Sequence, residues 1–374
     1  MKNRIYKYFF YELIRYFAVV LFALTAIIWT IQAVNFLDLV TDDGHAFKIY
    51  IFYSILTLPK IITKLIPLSF LLASLLTILK LEKDNELIIL WTSGLNKINI
   101  VNLVFRISLL IMFFQFVMAS FINPQTLNFS RSLIKNSELQ FVSSLLRVKQ
   151  FNDAVVGLTI FVDKKNPDGS YENIFIRDEG NVLTTVSGGT STIIAKYANV
   201  SEDQKSMVLV DGNIQKLEKN GEINVVKFEK TKVTLSGLST KSIAEPKIQE
   251  TSTLQIIKCF FKENKYKNNC EKNIKNIRDS KIELNRRFGM PFFIPLIALL
   301  TCFLLASRKD KKNLSWNKYI YFAIGFVVLV CSEITVRYSG SSIFYIFLYY
   351  FIPIGLLPIV YLTLLRKFKY ENLN

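Results

Sequence analysis

The stretch Gly157 to Glu179 reads GLTIFVDKKNPDGSYENIFIRDE. Apolar and polar residues alternate through Leu158–Lys165. The pattern stops at Asn166-Pro167-Asp168-Gly169 and resumes from Tyr171, which predicts two strands joined by a tight turn. Three further stretches repeat the pattern: TSTIIAKYANV (190–200), KSMVLVDGNIQKL (205–217) and INVVKFEKTKVTL (223–235). Gly188-Gly189, Asp211-Gly212 and Asn220-Gly221 supply further turn signals. Short strands with such turns predict an antiparallel sandwich or jellyroll over about 150–240.

Outward from this β-patterned core, the composition changes completely. Six apolar runs, at about 17–40, 50–80, 99–122, 289–306, 318–337 and 342–365, are each long enough for a membrane-spanning helix. Three precede the insert and three follow it. The predicted fold is an α-helical membrane protein of six transmembrane helices, three plus three, with an inserted β-jellyroll domain. Its parts are spans one to three in 1–122, an external domain in 123–287 with a helical return at about 250–287, and spans four to six in 288–374. Residues 125–150 have helical composition and are expected to prolong span three. Such a divided bundle suggests transport or assembly rather than soluble catalysis.

Charge orients the bundle. Lys2, Arg4, Lys7 and Arg15 precede span one, and Lys80, Lys83 and Lys97 lie between spans two and three. Arg308, Lys309, Lys311, Lys312 and Lys318 lie between four and five, and Arg366, Lys367 and Lys369 follow six. The loop after span one carries Asp38, Asp42 and Asp43 instead. Basic residues stay on the cytoplasmic side, so both termini are expected there and the insert outside. The basic run Lys258–Arg287 lies outside, but long translocated domains largely escape this rule. The N-terminal run is too long for a cleaved signal and reads as a retained span.

The chain has 374 residues, 51% of them hydrophobic, and a formal net charge of +17. No soluble basic module with interleaved aromatics accompanies that charge, so anionic membrane lipid is a better partner than nucleic acid. No Gly-x-x-x-x-Gly-Lys loop, dinucleotide fingerprint or nucleophile beside a base is present. His45 is the one histidine, and no metal-ligand spacing occurs. Cys259 and Cys270 lie in the external insert, where a disulfide is permitted but not required. Cys302 and Cys331 fall in spans and are expected to pack as small apolar residues.

Leu81 to Leu95, LEKDNELIILWTSGL, is the sharpest local signal. Leu87, Leu90 and Trp91 share one helical face, and Gly94 sits where a C-terminal cap belongs. One reading is an ordinary interfacial helix. The other is a coupling helix, at about 84–95, seated in a groove of a cytoplasmic partner.

This run resembles the equivalent loop of the LptF/LptG (YjgP/YjgQ) permeases. Tyr6-Lys7-Tyr8, Leu58-Pro59-Lys60, Ile66-Pro67-Leu68 and Ile282-Glu283-Leu284-Asn285-Arg286-Arg287 before Pro291 match in order and spacing. The stretch 157–179 is more similar to LptF than to LptG. The resemblance implies a lipopolysaccharide export permease that pairs with an LptG-like paralogue above an LptB-like ATPase dimer. It implies that ATP and Mg sit on that ATPase, with no cofactor in this chain, and that the lipid passes to LptC-like and LptA-like jellyroll proteins. It assigns ATPase coupling to Glu86, Leu87, Leu90, Trp91, Gly94 and Leu95. Asn85, Trp91 and Asn96 depart from the family's usual residues there.

The same resemblance points to Lys60, and more weakly to Lys64 and Arg337, as cations for the lipid's phosphates and acidic sugars; snorkelling to the interface is the plainer reading of each. Gln32 stands where the family tends to carry a basic residue. Glu333 lies within span five, four residues before Arg337, and is expected to pair with it. Two alternatives remain: a mechanotransmission subunit of the FtsX or MacB kind, with four spans, or a stand-alone membrane sensor or enzyme.

Overall fold

The structure is a computed structural model that describes residues 2–41, 47–136, 146, 148–155, 157–179, 183, 190–201, 206–217, 222–234, 247–261, 277–306 and 314–371. Among the described residues, six helical stretches are long and apolar enough to cross a membrane: Arg4–Val40, Phe47–Lys83, Lys97–Ile134, Ile277–Ala306, Tyr319–Tyr338 and Ile343–Lys369. They are spans one to six below. By its contacts the chain forms two units. One holds Met1–Thr30, Thr57–Leu127 and Lys247–Asn374, and the other Ile31–Leu56 and Asn128–Pro246. The return leg from Lys247 therefore groups with the bundle, not with the insert as the sequence suggested.

Span four is the hub of the first unit. Phe293 to Leu299 are all buried, as are Thr301 and Cys302. Ile66, Phe70 and Leu71 of span two pack with them, as do Val101, Val104 and Ile107 of span three and Tyr349 and Leu364 of span six. Tyr349 is completely buried, and a Cβ on Gly289 would lie 2.1 Å from its Cε1. Only glycine lets the two helices come that close. Spans one and six instead turn large side chains outward, among them Phe22, Phe344, Phe347 and Phe351. In water such surface is unfavourable, whereas lipid or a second apolar helix covers it without penalty.

Proline breaks the regularity of span two. The helix Phe47–Leu56 stops at Thr57, and a second begins at Leu58 with Pro59 in its first turn. Pro67 lies inside that second helix and has no N–H for the carbonyl of Thr63. The amide of Gln115 on span three donates to that oxygen instead, at 3.1 Å. Span three contains a π turn at Met118–Ile122, and the Thr253 hydroxyl donates to the Ser120 carbonyl within it at 2.6 Å. Span three continues as the helix Asn123–Asn136, but the helical reading of 125–150 fails at its end, where Val148 bridges to Val162 and Lys149 turns at φ +60°; residues 137–145 and 147 lie outside the described residues.

The second unit holds a six-stranded antiparallel sheet in sequential order, jellyroll-like and inserted between spans three and four. Its strands are β1 (Phe151–Val155), β2 (Leu158–Lys165), β3 (Tyr171–Asp178), β4 (Ser191–Val200), β5 (Ser206–Leu217) and β6 (Ile223–Thr234). Ile160 pairs with Ile176, Ile176 with Ile193 and Ile193 with Ile214. This register puts the apolar set on one face, where Leu158, Ile160, Val162, Ile174, Ile176 and Ile193 are buried. The Asn166–Ser170 turn forms where it was predicted, with Gly169 at φ +84°.

Two sequence expectations need correction here. β1 was not foreseen, because FNDAV carries too weak an alternation. Asp211-Gly212 does not separate strands but lies inside β5, with Asp211 at φ +52°. A Cβ on Gly212 would lie 2.3 Å from the Ile194 carbonyl oxygen, so the glycine marks a close backbone approach within the sheet. Gly188-Gly189 and Asn220-Gly221 lie outside the described residues.

Candidate functional site

A cleft of about 280 Å³ opens in the first unit between spans two, three, four and five. Span two contributes Lys60 and Lys64, one helical turn apart and on one face. The helix Ile277–Gly289 contributes Glu283, Arg286 and Arg287, and span five contributes Glu333. Four cations and two carboxylates therefore line the cleft.

Their pairing is uneven. The Arg287 Nε lies 3.0 Å from Glu283 Oε1, and the Arg286 Nη2 lies 2.7 Å from Glu333 Oε1. Arg287 is 2% exposed and its other two nitrogens are also engaged. Nη1 donates to the Thr251 carbonyl at 3.1 Å and to the Thr253 hydroxyl at 2.9 Å, and Nη2 donates to the Gln249 carbonyl at 3.1 Å. A guanidinium suits this position because its planar fork addresses several acceptors at once. Lys60 is half-buried and Lys64 exposed, and among the described residues neither has a carboxylate within ion-pair distance. Among the described residues, the cleft thus presents two ammonium groups without an ion-pair partner.

Arg337 stands apart. It is three-quarters exposed, is not among the residues lining the cleft, and its Nε is 4.0 Å from Glu333. The expected pairing of Glu333 with Arg337 is therefore the weaker of two contacts, and Arg286 holds the carboxylate. Helical spacing suggested only the local partner; the closer one comes from 47 residues away. The roles of Arg286 and Arg287 are not legible in the sequence, where two consecutive basic residues one helical turn after Glu283 are the available signal.

The second candidate site is the short helix Glu86–Thr92 between spans two and three. Its end is a Schellman cap. Leu95 N donates to Leu90 O at 3.2 Å and Gly94 N to Trp91 O at 3.1 Å, with Gly94 at φ +77°. Asn85 precedes the helix at φ +61°, a conformation asparagine tolerates better than serine, which accounts for that departure. Leu87 and Leu95 are buried, and Leu90 and Trp91 pack against the same core. The face shared by Leu87, Leu90 and Trp91 is thus turned into the chain itself, where Lys97 bridges the rings of Trp91 and Phe368 at 5.7 Å each. The outward apolar residues are Ile88, 47% exposed, and Ile89, 64% exposed, which the sequence reading passed over.

Glu86 accepts a hydrogen bond from the Tyr8 hydroxyl of span one at 3.1 Å. One turn on, the nearly buried Glu12 pairs with Lys80 of span two. These contacts join the start of span one to both ends of the segment that leads into the short helix. Cys302 is buried as expected, but Cys331 is exposed on span five, because that position faces away from the span-four hub. His45, Cys270 and the side chain of Cys259 lie outside the described residues.

An uncharacterized protein, RP871, of Rickettsia prowazekii (strain Madrid E) is 28% identical over 241 residues, which cover 63% of this chain and 64% of that protein. The family model for the lipopolysaccharide export system permease LptF/LptG matches residues 7–367. That match takes in all three parts of the chain, the spans on either side and the insert between them, and does not separate LptF from LptG; this chain belongs to the LptF/LptG permease family.

Proposed function

We propose that this chain is an LptF-like permease subunit of an ABC-type lipopolysaccharide exporter in the inner membrane. Both termini are cytoplasmic and the β-domain is periplasmic. The observation that carries this reading is the cleft with Lys60 and Lys64, unpaired among the described residues, beside two satisfied Arg–Glu pairs. Phosphate-bearing lipid headgroups match two adjacent ammonium groups, and partial burial strengthens such contacts over those at an open surface.

Lipid enters sideways between span one of this chain and span five of an LptG-like partner. The outward apolar side chains of span one support a lipid or helix neighbour there. An LptB-like ATPase dimer, carrying ATP and Mg, engages Glu86 with Ile88 and Ile89. Its closure is transmitted to span three through the cap at Gly94 and to span two through the Glu12–Lys80 pair. The cavity narrows, and the acyl chains move onto the apolar face of a jellyroll, in this chain or in LptC-like and LptA-like partners. Burial there offsets the loss of bilayer contacts.

The test is affinity purification of the tagged protein from its native membrane in mild detergent, with Glu86→Ala beside the wild type. Recovery of a second six-span permease and an ATPase is expected, with the ATPase depleted by the substitution. A protein recovered alone and indifferent to the change would replace the exporter reading with that of a stand-alone membrane sensor or enzyme.

A further inference from the structure

We infer that Arg286 and Arg287 are positioning residues that keep the cleft receptive to an anion, each holding a carboxylate that would otherwise neutralise Lys60 or Lys64. The inference rests on the headgroup reading of the cleft and assigns a role to the two residues that do not themselves need to touch the ligand.

Glu283 and Glu333 line the same cleft as the lysines. A carboxylate released beside an ammonium group gains by pairing with it, modestly where both are exposed and more where the pair is partly buried. Glu283 is close enough for its charge to bear on Lys60, yet the two are not in ion-pair contact. Lys247 and Glu250 bear on Lys60 too, one of each sign, and Glu250 accepts the Lys247 backbone N–H at 3.2 Å.

What holds Glu283 back is Arg287, at 3.0 Å, with Arg286 3.8 Å from its second oxygen. Arg287 cannot follow a swinging carboxylate, since Gln249, Thr251 and Thr253 fix its other nitrogens. Arg286 restrains Glu333 in the same way at 2.7 Å. Both carboxylates are thereby satisfied inside the wall, and the net positive charge of two falls on Lys60 and Lys64. The ligand class is a phosphate-bearing amphiphile, whose oxygens take the place the carboxylates are denied.

The experiment titrates dioleoyl phosphatidic acid in zwitterionic micelles onto the detergent-purified full-length protein. Lys60→Met should weaken binding about tenfold, the scale of one charge-assisted contact. Arg287→Met should weaken it as much, although lysines 60 and 64 are intact. Arg287→Met combined with Glu283→Gln should return to within about twofold of the wild type, with the unfolding midpoint in detergent of Arg287→Met unchanged, so that the rescue is not repair of the fold. Arg286→Met with and without Glu333→Gln repeats the logic at the more exposed pair, should Arg287→Met fail to fold. Wild-type affinity in both single arginine variants, or a double variant as weak as its parent, would overturn the inference. If Lys60→Met leaves binding unchanged, or inorganic phosphate binds as tightly as the lipid, the headgroup reading fails and the inference with it.

Discussion

The Gln115 side chain donates to the Thr63 carbonyl oxygen at 3.1 Å, the oxygen that Pro67 deprives of its helical partner. A proline within a span exposes the carbonyl four residues before it. Here a neighbouring helix supplies the missing donor, so the proline and the contact between spans two and three are one feature. Gln115 Oε1 finds no donor among the described residues, which offsets part of the gain. Gln115→Leu should therefore cost about 1 kcal/mol, near the low end for a stranded buried acceptor. Pro67→Ala restores an N–H at position 67, and in that background Gln115→Leu should cost little. Unfolding in mixed detergent and dodecyl sulfate measures the four proteins of the cycle. An equal cost in both backgrounds would reject the account.

Gly289 and Tyr349 make the tightest approach between spans four and six. A methyl group on Gly289 would meet the Tyr349 ring at 2.1 Å, and the ring is wholly buried beside Phe293, at a centroid distance of 5.6 Å. The ring has no open side to move toward, so Gly289→Ala should destabilise the bundle by about 1–3 kcal/mol through overpacking. Tyr349→Leu creates space and should make Gly289→Ala close to neutral. The same detergent titration reads this, and a Gly289→Ala protein as stable as the wild type would show that spans four and six separate more easily than their packing implies.

Much of this architecture was legible because long apolar runs and strict alternation act over neighbouring residues. Six spans and the β2–β3 turn came directly from such local patterns. Contacts between distant positions were not legible. Glu333 was assigned to Arg337 because helical spacing offers only residues three or four away, whereas Arg286 approaches from another span. Leu87, Leu90 and Trp91 were correctly grouped on one face, but the sequence does not say whether such a face meets a partner or the chain's own core. Ile88 and Ile89 were overlooked for the complementary reason. Asp211-Gly212 has turn chemistry, yet pairing on both sides with β4 and β6 keeps it within the strand.

The β2–β3 turn gives a pH dependence with a definite sign. Asp168 Oδ1 accepts from the Ser170 hydroxyl at 2.7 Å and from the Ser170 backbone N–H at 3.0 Å. These bonds, the hydroxyl's first, favour the ionised carboxylate and hold its pKa below the ordinary 3.8. A depressed carboxyl contributes stability that is fully present above its unfolded value and fades as pH falls through the folded one. The turn should therefore be indifferent to pH from neutrality to about pH 5 and loosen below about pH 3.8. The Asn166 and Gly169 amides, bonded to Ser170 O at 2.8 Å and Asn166 O at 3.0 Å, are the reporters. Their hydrogen-exchange protection, corrected for the intrinsic rate, should drop on acidification while that of central β4 amides holds. Ser170→Ala removes the larger cause and should shift the drop to higher pH. If the substituted and wild-type turns loosen at the same pH, the hydroxyl does not set the Asp168 titration.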